Sequence, residues 1–170
     1  MKNRKVMMTN IYEILEHHVI PYERTDHPPV YTIEEADRLV PALPGAKTKN
    51  LFLRDNKGKR HFLVVVNGDT TVDLKRLHTV IDSTRVSFAS ADRLKRHLDL
   101  EPGAVSMLAV VNDAAHQVEL IIDKRLWEAD AFQCHPLVNT STLVLSRQGL
   151  EKLFDVTGHT PLLVNVPEHP

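Results

Sequence analysis

Lys49-Asn50-Leu51-Phe52-Leu53-Arg54-Asp55-Asn56-Lys57-Gly58, followed closely by His61-Phe62-Leu63-Val64-Val65-Val66, is the stretch on which the fold turns. Two apolar, partly β-branched runs of strand length flank a turn-forming cluster, and that spacing predicts a β-hairpin. Upstream the periodicity is helical. Ile11, Ile14, Leu15 and His18 fall on one face of a helix that Thr9 is placed to cap and Pro21 to stop. Thr32-Ile33-Glu34-Glu35 is a capping box for a second short helix, ended by Pro41 and by a Pro44-Gly45 loop that runs to Thr48.

Downstream, Asp73 and Ser90 are placed to cap helices that turn Leu74, Leu77 and Val80-Ile81, and then Leu94 and Leu98, inward. Strands are expected at Met107–Val111, Val118–Ile122, Ala131–Cys134 and Thr142–Leu145. Ser146 caps a last helix through Phe154, and Leu162–Val166 closes the chain as a strand. Strands in hairpin-like pairs with scattered helices predict an α+β class with a mixed, largely antiparallel sheet.

The 170 residues suit one domain with a sizeable core. Lys and Arg number 21 against 22 Asp and Glu, which excludes a polyelectrolyte and leaves any nucleic-acid contact to a local basic patch. The longest apolar runs are strand-sized, so no membrane span is expected. Val6-Met7-Met8 is too short for the apolar core of a signal peptide, and the expected location is cytoplasmic. Residues 1–8 are expected to be a flexible extension, with one domain over 9–170.

The familiar catalytic signatures are absent: no G-x-S-x-G elbow, P-loop, dinucleotide glycine set or H-E-x-x-H. Ten histidines are scattered, and Cys134-His135 has no second pair nearby, so no metal set is read from them. Four local contexts remain. Lys49-Asn50 follows a loop and enters an apolar strand; the lysine is either solvated or a point charge for a phosphate or oxyanion. Arg85, just before a helix cap, is either surface or site. His135 precedes Pro136, which fixes the local backbone; the histidine either satisfies a turn or faces a ligand. Gly158-His159-Thr160-Pro161 is either a plain connection or a turn that lets backbone approach a ligand.

Taken in order, Lys49-Asn50-Leu51-Phe52-Leu53-Arg54-Asp55, Ser87-Phe88-Ala89-Ser90, Glu101-Pro102-Gly103-Ala104-Val105, Val111-Asn112-Asp113, His135-Pro136-Leu137 and Gly158-His159-Thr160-Pro161 resemble the YbaK/prolyl-tRNA synthetase editing-domain superfamily. The most similar branch is that of the freestanding ProX-type deacylases, which remove alanine mischarged onto proline tRNA. The resemblance runs from about Thr9 to Val166. It implies a curved, mixed sheet approaching an open barrel, with flanking helices and a pocket at one end. It implies hydrolysis of an aminoacyl ester at the tRNA 3′ end, without metal or organic cofactor, in a pocket that excludes larger side chains.

Carried over by position, Lys49 matches the family's essential lysine and Asn50 its neighbour in the pocket. His135 and Gly158 match a substrate-side histidine and the glycine of the loop that cradles the aminoacyl group, with His159 and Pro161 in the same turn. Ser106 and Met107 stand at the implied pocket wall, and Arg85 aligns with a basic residue for the acceptor end. Met107-Leu108-Ala109 and Cys134 depart from residues common in that branch. The implied partner is the acceptor end of tRNA, above all proline tRNA. Prolyl-tRNA synthetase is a further candidate partner, and the implied state is a monomer or weak homodimer. The alternatives are deacylation of another small amino acid (Ser, Cys or 2-aminobutyrate) and a non-catalytic RNA- or nucleotide-binding module on the same fold.

Overall fold

A computed structural model describes residues 10–170. The expected extension over residues 1–8 and the Thr9 cap lie outside the described residues; Asn10 caps the first helix, its side chain accepting from the Tyr12 and Glu13 N–H groups. In chain order the elements are α1 (Ile11–His17), β1 (Glu23–Asp26), α2 (Ile33–Leu39), β2 (Ala46–Arg54), β3 (His61–Asn67), α3 (Leu74–Val80), β4 (Ser87–Phe88) and α4 (Ala91–Leu98). A 3-10 helix (Met107–Asn112), β5 (Val118–Asp123), α5 (Lys124–Trp127), β6 (Ala131–Cys134), β7 (Ser141–Ser146), α6 (Arg147–Thr157) and β8 (Leu162–Val164) follow.

The predicted caps hold where a local side chain decides them. Thr32, Asp73, Ser90 and Ser146 each accept from a backbone N–H in the first turn of α2, α3, α4 and α6. The hairpin also holds: Arg54 to Thr48 pair antiparallel with His61 to Asn67. Its turn is tied by Asp55, whose Oδ1 accepts from the Lys59 and Arg60 N–H groups at 2.8 and 3.0 Å.

The sheet is mixed, in the order β1-β7-β6-β2-β3-β5-β8, with β4 attached to β2. Antiparallel pairs join β1–β7, β6–β7, β2–β3 and β2–β4, whereas β2–β6, β3–β5 and β5–β8 are parallel. Each strand of the central β2–β3–β5 unit is buried on both faces. Leu51, Leu53, Phe62, Val64, Val66 and Ile121 pack with Leu77 and Ile81 on one side. Phe52, Leu63, Val65, Leu120 and Ile122 pack with α1, α4, α6 and the 3-10 helix on the other. A strand covered on both faces reads as a continuous apolar run, which is why β3 shows no polar alternation.

Some expectations change. Val80, read as inward, is exposed, while Ile81 beside it is buried. Met107–Val111 is not a strand but most of the 3-10 helix, capped by Ser106, whose Oγ accepts from the Leu108 N–H at 3.2 Å. A short apolar run wholly inside a core carries no period that separates the two states. The loop after Pro44-Gly45 does not run to Thr48: β2 begins at Ala46, which puts Lys49 inside the strand rather than at its mouth.

Along one edge β2 pairs with β3 over Thr48–Arg54; along the other it meets β6 only at Ala46–Lys47 and β4 only at Leu53–Arg54. Among the described residues, no strand pairs with the stretch between them on that second edge. The chain's last described segment braces the loop after β3. The His169 N–H donates to the Thr71 carbonyl, the Asp73 N–H donates to the Pro167 carbonyl, and Val72 bridges Glu168. The Glu168 carboxylate lies 3.0 Å from Arg125 Nη1, and its carbonyl accepts from Arg76 Nη2 at 2.9 Å. Among the described residues, no helix is long and apolar enough to cross a membrane.

Candidate active site

A cleft of about 960 Å³ opens at the gap in the β2 edge. Its floor and walls include Val30, Leu51, Cys134 and Thr142, all buried, and its lip is formed by Tyr31 and by α2 through Glu34, Ala36 and Asp37. Lys47 pairs with Asp37, joining the start of β2 to α2. Gly103 faces the ring of Tyr31: at φ +92° it takes a conformation that glycine favours, and a Cβ there would stand 3.0 Å from Tyr31 Cδ1.

Of the residues expected at the site, the cleft brings together Lys49, Asn50 and His135. Strand alternation places Lys49 on the face of β2 shared by Leu51 and Leu53, and Asn50 on the face shared by Phe52. The cleft wraps the strand edge, so it meets both. Lys49 Nζ donates to the Thr70 carbonyl at 3.0 Å, which holds the ammonium against the loop after β3. That loop also gives Gly68, Asp69 and Thr71 to the cleft.

Asn50 Oδ1 and His135 Nδ1 are buried polar atoms with no hydrogen-bond partner. Burial of the His135 ring lowers its pKa, opposed by a hydrogen bond with the Ser141 backbone and assisted by His27 nearby. The imidazole is therefore held neutral near pH 7. His27 itself is fixed by Thr142 Oγ1, 2.8 Å from its Nε2. Burial alone pushes the Cys134 thiol up to about 12, which removes it as a nucleophile.

The remaining expected residues are placed elsewhere. Ser106 and Met107 are buried in the core and do not line the cleft; Gly103 and Val105 of the same segment do. Gly158 is the left-handed C-cap of α6 at φ +80°, its N–H bonded to the Phe154 carbonyl. His159 is buried, with Nε2 2.9 Å from Asp113 Oδ2 and Nδ1 2.9 Å from Thr157 Oγ1. The turn through Pro161 thus staples the end of α6 to the loop before β5, away from the cleft lining. Arg85 is exposed ahead of β4, near the far end of β2.

Sequence reasoning missed Thr70, whose contribution is a carbonyl and so leaves no side-chain signature. It also missed Val30, Tyr31 and Thr142, which reach the cleft only through tertiary contacts. Among the described residues no three His, Cys, Asp or Glu side chains converge as a metal cage.

The aminoacyl-tRNA editing domain family matches residues 27–153, and the chain belongs to that family. It is 45% identical over 141 residues, 83% of this chain and 86% of the relative, to a protein named prolyl-tRNA editing protein ProX from Acetoanaerobium sticklandii. It is 32% identical over 142 residues to prolyl-tRNA synthetase associated domain-containing protein 1 of Danio rerio, covering 82% and 77% of the two chains. Among solved structures, a hypothetical protein superposes with a TM-score of 0.72 at 19% identity, covering 93% of this chain and 99% of that one. A candidate trans-editing enzyme for prolyl tRNA synthetase superposes with a TM-score of 0.68 at 16% identity, covering 94% and 96%. The two structures share the fold: a single α+β domain with a mixed, unclosed sheet.

Proposed function

We propose that this protein is a trans-editing deacylase that hydrolyses amino acids mischarged onto proline tRNA, with alanine as the principal one removed. The observation that carries the reading is the cleft itself. A lysine held by a main-chain carbonyl, a half-buried asparagine and a neutral histidine meet there, in a chain similar to a named prolyl-tRNA editing protein.

The chemistry suits those residues. An aminoacyl ester is already activated, so an oriented water and a fixed electrostatic environment suffice without a nucleophilic side chain. Water adds to the ester carbonyl, the carbonyl oxygen gains negative charge, and the Lys49 ammonium meets that charge with the N–H groups not used on Thr70. Collapse breaks the bond to the ribose oxygen, which takes up the proton that the attacking water gives up, and releases free amino acid and deacylated tRNA. The ribose hydroxyl beside the ester is placed to orient the water. The cleft is large enough for a terminal nucleoside as well as an amino acid, which agrees with a substrate entering 3′ end first.

Selection follows the double-sieve logic. A synthetase pocket for proline rejects alanine weakly, since a missing methylene is worth only about 1–3 kcal/mol. A second pocket walled by Val30, Leu51, Cys134 and Thr142 excludes proline by overpacking, at a cost of roughly 1–3 kcal/mol. Arg85 meets the acceptor end outside the cleft. The protein acts in the cytoplasm, on tRNA released by prolyl-tRNA synthetase.

The test is a deacylation panel in which proline tRNA charged with Ala, Cys, Ser or Pro is offered to the purified protein. Rapid release of alanine at catalytic enzyme levels, with proline retained, is the expected result. Stoichiometric tRNA binding without release of any amino acid would replace the deacylase with a binding module.

A further inference from the structure

The Thr70 carbonyl that holds Lys49 belongs to a peptide plane set between two fixed neighbours. On its N-terminal side the Thr70 N–H donates to the Asn67 carbonyl and the Gly68 N–H to the Lys47 carbonyl, each at 3.0 Å. On its C-terminal side the Thr71 carbonyl accepts from the His169 N–H, also at 3.0 Å. A peptide unit is planar, so between two held planes only ψ of Thr70 and φ of Thr71 stay soft, and they must turn together. The first anchor lies within the hairpin. The second comes from the end of the chain.

That second anchor is itself held. Residues 166–169 form a strap between the loop after β3 and the end of β5. Against the loop, Val72 bridges Glu168, and the Asp73 N–H donates to the Pro167 carbonyl. Against β5, Asp123 Oδ1 accepts from the Val166 N–H at 3.3 Å, and Arg125 Nη2 donates to the Val166 carbonyl at 3.1 Å. Arg125 Nη1 lies 3.0 Å from the Glu168 carboxylate, and Nη2 lies 3.1 Å from Asp123 Oδ2. The Asp123 side chain is fully buried, and a buried carboxylate needs a partner, which fixes Arg125 in place. None of Asp123, Arg125, Glu168 and His169 lines the cleft.

We propose that the strap positions the chemistry: Asp123 and Arg125 seat it, and its His169 N–H fixes the carbonyl on which the Lys49 ammonium rests. Arg125 and the His169 main chain are positioning groups that act on the reaction only through Lys49. The proposal rests on the deacylase reading above and adds the source of the lysine's orientation. Without the His169 bond the Thr70 plane gains a soft axis, and the long lysine side chain follows its acceptor. The ester still enters a cleft whose lining is unchanged, but the charge no longer stands where the oxyanion forms. The loss falls on the chemical step, because a charge aimed at the oxyanion is felt more in the transition state than in the bound ester.

His169→Pro tests this most directly, since it deletes one N–H at an exposed position and leaves the rest of the strap. On alanyl-tRNA(Pro) it should lower kcat roughly 10-fold with KM within about twofold, short of the roughly 100-fold that a misplacement of about 1 Å can cost. His169→Ala, which loses the imidazole and keeps the N–H, should keep kcat. Arg125→Ala should repeat the kcat loss when assayed well below its melting temperature. In protein labelled with carbon-13 at lysine, the Cε resonance that Lys49→Ala removes should shift in His169→Pro and stay in place in His169→Ala. Lysines remote from the loop should keep theirs, which a general loss of stability would not achieve. Wild-type kcat in His169→Pro, or an unmoved Lys49 resonance, overturns the proposal and leaves the deacylase standing. Equal losses in His169→Pro and His169→Ala overturn it too, by assigning the effect to the imidazole. Release of no amino acid by the unaltered protein overturns the deacylase reading, whatever the resonance does, and the positioning role with it.

Discussion

Lys49 Nζ lies 3.0 Å from the carbonyl oxygen of Thr70, so a side chain in β2 is oriented by main chain from the loop after β3. Thr70 is buried, and its own N–H donates to the Asn67 carbonyl. The ammonium thus has one fixed bond that holds it in place and further N–H groups directed to the cleft. A positioned charge of this kind needs no reorganisation when an oxyanion forms, which is the source of its leverage.

Lys49→Ala should therefore abolish most deacylation while leaving the fold intact. The residue is half-buried at the cleft, and its stem covers little core, so the cost in stability should stay within about 1 kcal/mol. Circular dichroism melts and initial rates on alanyl-tRNA(Pro) check both halves. Lys49→Arg should not restore the rate, because a planar fork cannot keep the Thr70 bond and present the same point charge. Near wild-type activity in a folded Lys49→Ala protein would remove the lysine from the chemistry.

Arg85→Ala should weaken tRNA binding with little effect on turnover at saturating substrate. Losing one phosphate contact should also lower the slope of log affinity against log salt by about 1. Filter binding at several salt concentrations, beside kcat and KM, measures this. A fall in kcat with unchanged KM would move Arg85 into the chemistry.

Gly158→Val should act on stability rather than on the cleft. Gly158 holds φ +80°, and a Cβ there would lie 3.0 Å from both Cε1 and Nε2 of His116. Forcing an L side chain into that conformation costs about 1–2 kcal/mol before any clash. The expected outcome is a lower melting temperature, with alanine release per folded molecule unchanged well below it. A selective loss of activity in a protein of normal stability would return the turn to the substrate.

Stability should fall as pH drops from about 6.5 to about 4. His61 is buried against His97 and Arg93, with Arg93 Nη1 3.0 Å from His61 Nε2. Burial first, then His97 and Arg93, lower its pKa from 6.5 to about 4. His97 and His135 are lowered as well, in each case mainly by burial. The unfolded chain takes up these protons at a higher pH than the folded one. The stabilisation is therefore fully present above 6.5 and lost on the way down to the folded value. The lowered carboxylates Asp26, Asp55 and Asp73 act only below their ordinary value of 3.8, so the two windows separate. In melting temperatures recorded against pH, His61→Gln, which can still accept from Arg93, should flatten the slope between 6.5 and 4. An unchanged slope would assign it to other groups.

What the sequence made legible is what neighbours in the chain decide. Thr32, Asp73, Ser90 and Ser146 cap as read, because a cap needs only a side chain and a backbone N–H two or three residues on. The hairpin is likewise local. Local context and the resemblance both point to Lys49, Asn50 and His135, and these are the ones that meet in the cleft. Gly158 and His159 stand in a motif and Met107 beside one, and position along the chain says nothing of direction: Met107 points into the core, Gly158 ends a helix and His159 bonds Asp113. The parallel pairs β3–β5 and β5–β8 join distant segments, and Val30, Thr70 and Thr142 reach the cleft by the same long-range closure. No window of sequence contains that information.

The brace between residues 166–169 and the segment at Thr71–Asp73 sets an order of events during synthesis. Lys49 and Thr70 leave the ribosome early, but the backbone that steadies their loop is held by Pro167 and His169, which emerge far later. Parallel β5–β8 pairing is equally late, and pairings of such sequence separation form slowly because their loops must close first. A growing chain thus carries every residue of the cleft well before the strap that fixes its geometry. Competence therefore waits until residues 166–169 have been made, and comes in one step with the closing of the sheet.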